Sequence, residues 1–149
     1  MIPAGAYDLR NAFQRHLAAG KASSSASHNL LLFYATECGL KSIYLRRNKL
    51  TFLTSEMHKT DRNYPSNGHD LIGLIKALRL PASIIGEDIL SARLNFKLRK
   101  EPHSTHQITS LHEVWRYGVL IDPTNEKDLI NWINKINKNI KEWLNEGIP

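Results

Sequence analysis

The sequence predicts an all-α protein, a bundle of about five helices, and three observations point to it. The segment Ala26 to Leu45, ASHNLLLFYATECGLKSIYL, is apolar almost all round. A helix that is hydrophobic on every side must be buried on every side, so this segment is expected to be the central column. The segment Asn125 to Glu146 carries Leu129, Trp132, Ile133, Ile136, Ile140, Trp143 and Leu144 at steps of three and four, the stripe of an amphipathic helix. The stretch Tyr7 to Ala19 does the same with Ala6, Leu9, Phe13 and Leu17. With 149 residues, 42% of them hydrophobic, the chain is expected to form one domain, residues 1–149, around one sizeable core.

The first helix, Tyr7 to Ala19, is expected to stop at Gly20, since glycine suits a C-terminal cap. The small polar linker KASSSAS, Lys21 to Ser27, follows, with Ser27 placed to cap the next helix. That second helix runs from His28 to Arg47; Arg46, Arg47 and Lys49 suit the negative end of its dipole. LTFL, Leu50 to Leu53, either extends the helix or forms a short extended piece. KTDRNYPSNG, Lys59 to Gly68, is turn chemistry throughout. A third helix opens at His69-Asp70, buries Leu71, Ile72, Leu74, Ile75 and Leu78, and ends at Pro81.

Gly86 to Leu94 is expected to be a short helix. Leu94, Phe96 and Leu98 alternate with polar residues at a strand-like period of two. Pro102 to Thr109 is expected to be a polar loop. Ser110 followed by Glu113 fits a capping box before LHEVWRY, which Gly118 stops. Asp122-Pro123 makes a tight connection into the last helix, which Gly147 closes.

Twenty Lys and Arg against fourteen Asp and Glu give a net charge of +6. That balance favours anionic partners such as nucleic acid or an acidic protein surface. The single cysteine, Cys38, has no partner for an internal disulfide and sits in the apolar helix, where a thiol is inert packing. MIPAGAYDLR lacks a charged region followed by an apolar one, so no secretory signal is expected. The longest apolar run is too short to span a membrane, and the expected location is cytoplasmic.

Four features bear on chemistry. Glu37 and Lys41 stand at helical i,i+4 spacing inside the apolar segment. On a surface such a pair contributes a few tenths of a kcal/mol; inside a bundle it is a buried pair whose charges must satisfy each other. His103, His106 and His112 form the densest histidine group, but they lack helical i,i+4 spacing and carboxylate partners, so no metal and no cofactor is expected. Two basic clusters, Arg46, Arg47, Lys49 and Arg93, Lys97, Arg99, Lys100, are candidates for phosphate contacts, with a lysine stripe Lys135, Lys138, Lys141 on the last helix. Trp115, Trp132 and Trp143 occupy helical apolar positions and belong to the core rather than to base stacking.

The order LLLFYATECGLKSIYL, a polar loop, GHDLIGLIKALRLP and HEVWRYG before a final helix resembles the HEPN superfamily, named for higher eukaryotes and prokaryotes nucleotide-binding. That family carries an Ala-x-Glu-x-x-x-Lys pattern, here Ala35, Glu37 and Lys41, with the spacing slightly altered. His69, Asp70 and Leu71 resemble its His-Asp-Leu element; Trp115, Arg116 and Tyr117 resemble its aromatic-Arg-Tyr element. The resemblance spans Ser27 to Gly118 and implies an up-and-down bundle that often dimerises. It also implies a place in bacterial toxin–antitoxin, phage-defence or CRISPR systems. Glu37, Lys41 and Arg116 would then form a polar site inside the bundle.

HEPN ribonucleases carry an Arg followed four to six residues later by His, and Arg62-NYPSNG-His69 resembles that pair. His69 would move the proton of a 2′-hydroxyl or a leaving 5′-oxygen, and Arg62 would hold the phosphate, without metal, across a dimer interface. The competing reading leaves Arg62 in a turn-rich loop and His69 at a helix N-terminus, where the dipole disfavours imidazolium. The expected function is a non-catalytic HEPN-like binding subunit of a bacterial conflict system, contacting nucleic acid (RNA foremost) or a protein from the same operon. The alternatives are the metal-independent endoribonuclease just described and an immunity protein that blocks a toxin by surface complementarity.

Overall fold

A computed structural model describes residues 4–22, 25–92 and 94–147. It is predominantly helical, as expected, and the apolar patterns explain where each helix sits. Helix α1 spans Ala6–Lys21, α2 Ala26–Arg47, α3 Met57–Thr60, α4 Leu71–Ala77, α5 Ala82–Ile85 and α6 Glu87–Leu90. A hairpin of β1, Phe96–Leu98, and β2, Glu101–His106, precedes α7, Leu111–Arg116, and α8, Pro123–Glu146. Helices α3, α5 and α6 are single turns that add to the expected set.

Helix α2 is the column that its composition requires. Its buried residues include Leu32, Phe33, Ala35, Thr36, Leu40, Ile43, Tyr44 and Leu45, which lie on every side of the helix. Helices α1, α4, α7 and α8 all pack against it. Helix α1 runs antiparallel to α2: Ser42 donates to the Ala6 carbonyl, and Gly20 lies against Leu32 at the other end. Helix α8 contributes Leu129, Trp132, Ile133, Ile136, Ile140, Trp143 and Leu144, all buried. Trp115 and Trp132 are core residues, and their indole N–H groups are satisfied by Glu126 at 3.1 Å and the Ile89 carbonyl at 3.0 Å.

Two glycines allow the close packing. At Gly39 a Cβ would stand 2.5 Å from Ile140 Cγ2 and 3.0 Å from Phe13 Cδ2, so α1, α2 and α8 meet there on a bare backbone. Gly20 does not stop α1. It lies inside the helix, where a Cβ would fall 2.6 Å from Leu32 Cδ2.

Several boundaries differ from expectation for local reasons. Ser25, not Ser27, caps α2, because the helix starts at Ala26 and the Ser25 side chain accepts from the His28 N–H at 3.3 Å; Ser23 and Ser24 of that linker lie outside the described residues. Helix α4 ends at Ala77, before Pro81, because Arg79 takes a left-handed conformation with φ 53°. Gly86 separates two helical turns rather than opening one helix, its φ of 92° breaking the backbone between α5 and α6. Ser110 makes no side-chain cap: a 3-10 turn, Ile108–Ser110, runs straight into α7 and gives Ser110 helical angles. Asp122 caps α8 through the N–H groups of Thr124 and Asn125, both at 3.0 Å, so that helix begins at Pro123 rather than Asn125.

The expected polar loop after Pro102 is instead a strand with an outward bulge. Phe96 pairs with His106 and Leu98 with Glu101, so the second strand must arch between its two paired ends. Leu98 also bridges to Ile121, which ties the hairpin to the start of α8. LTFL is neither helix nor strand; Leu53 is buried while Leu50 and Phe52 are exposed. No helix of the described residues is long and apolar enough to cross a membrane.

Gly39→Ala tests the three-helix contact. Alanine favours an isolated helix by about 1 kcal/mol over glycine. Its methyl group would here overpack two buried side chains, at about 1–3 kcal/mol. The expected net result is a loss of stability of up to about 2 kcal/mol in urea melts, partly recovered by adding Ile140→Val. A variant as stable as the parent would show that the contact can relax freely.

Candidate functional site: a carboxylate-held histidine pair

Burying Glu37 on α2 sets the requirement for this site. An isolated carboxylate in the core is costly, so both of its oxygens need partners. Lys41, one turn along α2, approaches Glu37 Oε1 at 2.5 Å. His69 approaches Glu37 Oε2 through Nδ1 at 3.0 Å. Burial alone would raise the Glu37 pKa, but His69 and Lys41 outweigh it and hold the carboxyl below its ordinary value. Glu37 is therefore ionised at neutral pH. Burial, and after it the Glu37 charge, push the neighbouring Cys38 thiol up to about 11 and the Tyr64 hydroxyl up to about 12. Cys38 is thus a poor nucleophile, in keeping with a packing role.

The loop ahead of α4 delivers His69. Asn67 Oδ1 accepts from the His69 N–H at 2.9 Å, and Asp70 caps α4 by accepting from the Gly73 N–H at 2.9 Å. Gly68 lies against Lys41: a Cβ there would stand 3.3 Å from Nζ. Because an ionised Glu37 only accepts, the bond assigns the Nδ1 proton to His69 and leaves its Nε2 lone pair as the basic position. The His69 side chain is 37% exposed, against 10% for Glu37.

Sequence reasoning placed His112 only in a metal group, yet it completes this cluster. It comes from α7 and stacks on His69, ring centroids 3.9 Å apart, and its ring lies 5.8 Å from that of Phe33. Burial, and after it the repulsion that a protonated His69 exerts, keep its pKa below the ordinary imidazole value. Its Nδ1 is buried and has no hydrogen-bond partner among the described residues, while Nε2 is 3.9 Å from Glu113, too far for a hydrogen bond. No local pattern links position 112 to 69; only the docking of α7 on α2 brings them together.

The other expected site residues lie elsewhere. Arg116 does not join Glu37 and Lys41: it is exposed and donates to the Tyr34 hydroxyl at 2.8 Å, because position 116 falls on the outer side of α7. Arg62 is exposed and lines a surface groove of about 540 Å³ with Asn63, Pro65, Asn67 and Lys76. The His69 ring is taken up by Glu37 and His112, and no bond joins it to Arg62. Among the described residues, no group of three or more His, Cys, Asp or Glu side chains is placed to hold a metal ion.

The two basic clusters sit at opposite ends of α8. Arg46 donates to the Leu144 carbonyl at 3.3 Å, beside Arg47 and Lys49. Lys97 of the hairpin donates its N–H to Asn125 Oδ1 at 2.9 Å, and Arg99 donates to the Ile121 carbonyl at 3.0 Å, with Lys100 beside it. At 1.5 Å per residue, about 28 Å of helix separates Asn125 from Leu144. Between them Lys127, Lys135, Lys138 and Lys141 are exposed on the outer face of α8; of these, Lys135 pairs with Asp88 at 3.4 Å. Arg93 lies outside the described residues.

His112→Leu probes the histidine pair. An orphaned buried polar atom costs about 1–3 kcal/mol. A group whose folded pKa is depressed and which charges on protonation withdraws stability as the pH falls below its unfolded value, about 6.5 for histidine. The variant is expected to be about 1 kcal/mol more stable at pH 8 and to gain further as the pH falls toward 5, measured by urea unfolding. A gain of the same size at both pH values would show that His112 does not titrate against the fold.

No family model, no curated protein and no solved structure matches this chain.

Proposed function

We propose that this chain is a nucleic-acid-contacting helical subunit, with RNA as the favoured partner, and that it binds along the outer face of α8. The observation that carries the reading is the arrangement of cations. Lys127, Lys135, Lys138 and Lys141 are exposed along α8, with Lys135 paired to Asp88, and the Arg46–Lys49 cluster and the Lys97–Lys100 hairpin lie at its two ends. A line of ammonium and guanidinium groups follows a phosphate backbone without reading its bases. The buried tryptophans leave base stacking little part in it. The resemblance to HEPN proteins supports a role in a bacterial conflict system.

Fluorescence anisotropy of a labelled single-stranded RNA across a salt series tests this. Affinity is expected to fall steeply with salt, and the triple variant Lys127→Gln, Lys135→Gln, Lys138→Gln is expected to lower the logarithmic slope by about 2. Binding that ignores salt, or a triple variant that binds like the parent, would overturn the reading.

A second reading, a metal-independent endoribonuclease, is favoured by the bond from Glu37 to His69 Nδ1, which leaves Nε2 free to accept a hydroxyl proton. Incubation of RNA in EDTA separates the two. Cleavage that survives EDTA, disappears in His69→Ala and falls at least tenfold in Glu37→Gln supports the enzyme. Arg62→Ala then tells whether that arginine holds the phosphate. Intact RNA after prolonged incubation removes the second reading and leaves the first.

A further inference from the structure

We propose that the groove between α1 and α8 binds a small amphipathic carboxylate, an acyl chain bearing an anionic head. The two helices run antiparallel here: Arg10 donates to Asn145 Oδ1 at 3.2 Å, and Phe13, Leu17 and Lys21 follow along α1 as Leu144 and Lys141 recede along α8. They leave a groove of about 290 Å³ between them.

Its floor is apolar, formed by Phe13, Leu17 and Leu144, which belong to the main core. Its rim carries two ammonium groups, Lys21 and Lys141, and the side-chain amides of Gln14 and Asn145. Among the described residues no carboxylate lines it. An apolar floor beneath unopposed cations is complementary to one chemistry: a hydrocarbon body with a negative end. The lysine stems add apolar wall while their heads stay in water. The volume selects between occupants of that chemistry. It stands at the lower end of small-molecule sites, about 300 Å³, whereas a partner helix needs a row of anchor pockets over several turns. The groove accordingly takes one acyl chain rather than a protein segment.

Lys141 is shared with the cations proposed to meet RNA, but the RNA test leaves Lys21 and Lys141 intact, so the two readings fail separately. Isothermal titration with octanoate, 1-octanol and octyltrimethylammonium tests it on the full chain. Octanoate is expected to bind saturably at one site, and the cation is expected not to bind. The double variant Lys21→Gln, Lys141→Gln is expected to weaken octanoate about fivefold while leaving octanol unchanged. Amide NMR shifts on octanoate addition are expected at Gln14, Leu17 and Asn145. Absence of saturable octanoate binding, equal binding of the cation, or shifts confined to another surface would each overturn the proposal. So would an acidic amphipathic peptide that moves the same amides while octanoate does not.

Discussion

Glu37 cannot be buried alone, and much of the molecule follows from that constraint. The carboxylate sits on a helix whose buried side chains are mostly apolar. One of its oxygens is served locally, by Lys41 on the same helix. The other must be served from outside the helix, and His69 does so from a loop that also docks through the Tyr64 ring against Tyr44 and through Asp61, which accepts from the Tyr44 hydroxyl. The Asn67 and Asp70 side chains fix that loop, Asp70 starts α4, and α4 then covers one side of α2. A single buried charge thus couples the central helix to the following loop and helix, because desolvation makes an unpaired carboxylate far more expensive than the ordering of the loop.

The same charge gives the site its chemical character. Glu37 holds His69 in one tautomer, and His69 stacks on His112, an imidazole with a buried orphan nitrogen. Such an atom weakens the fold, and it lies beside a carboxylate-held histidine. The surface follows a different logic. Cations are spread along α8 and at both of its ends rather than gathered in a cleft, which is why an extended polyanion is the partner proposed.

Where the sequence was legible, the reason was periodicity. The stripes on α1 and α8 and the all-round apolar character of α2 each dictate which face is buried, and those faces are buried. Where it was not, the decisive contact lay far along the chain. Gly20 reads as a stop signal but is required by Leu32 packing. Ser110 reads as a cap but is taken into a 3-10 turn. The polar residues after Pro102 read as a loop because a bulged strand of exposed residues shows no alternation.

The amino-acid sequence by itself determined the helical class, the buried central rod, the core face of the last helix and the Glu37–Lys41 pair, since each is a relation between residues a few positions apart. Only the tertiary structure decided that His69 and His112 stack, that Arg116 and Arg62 stand apart from them, and that the two basic clusters lie at opposite ends of α8. Those relations join segments 28 to 43 residues apart or more, and they depend on how helices dock, which no local pattern encodes.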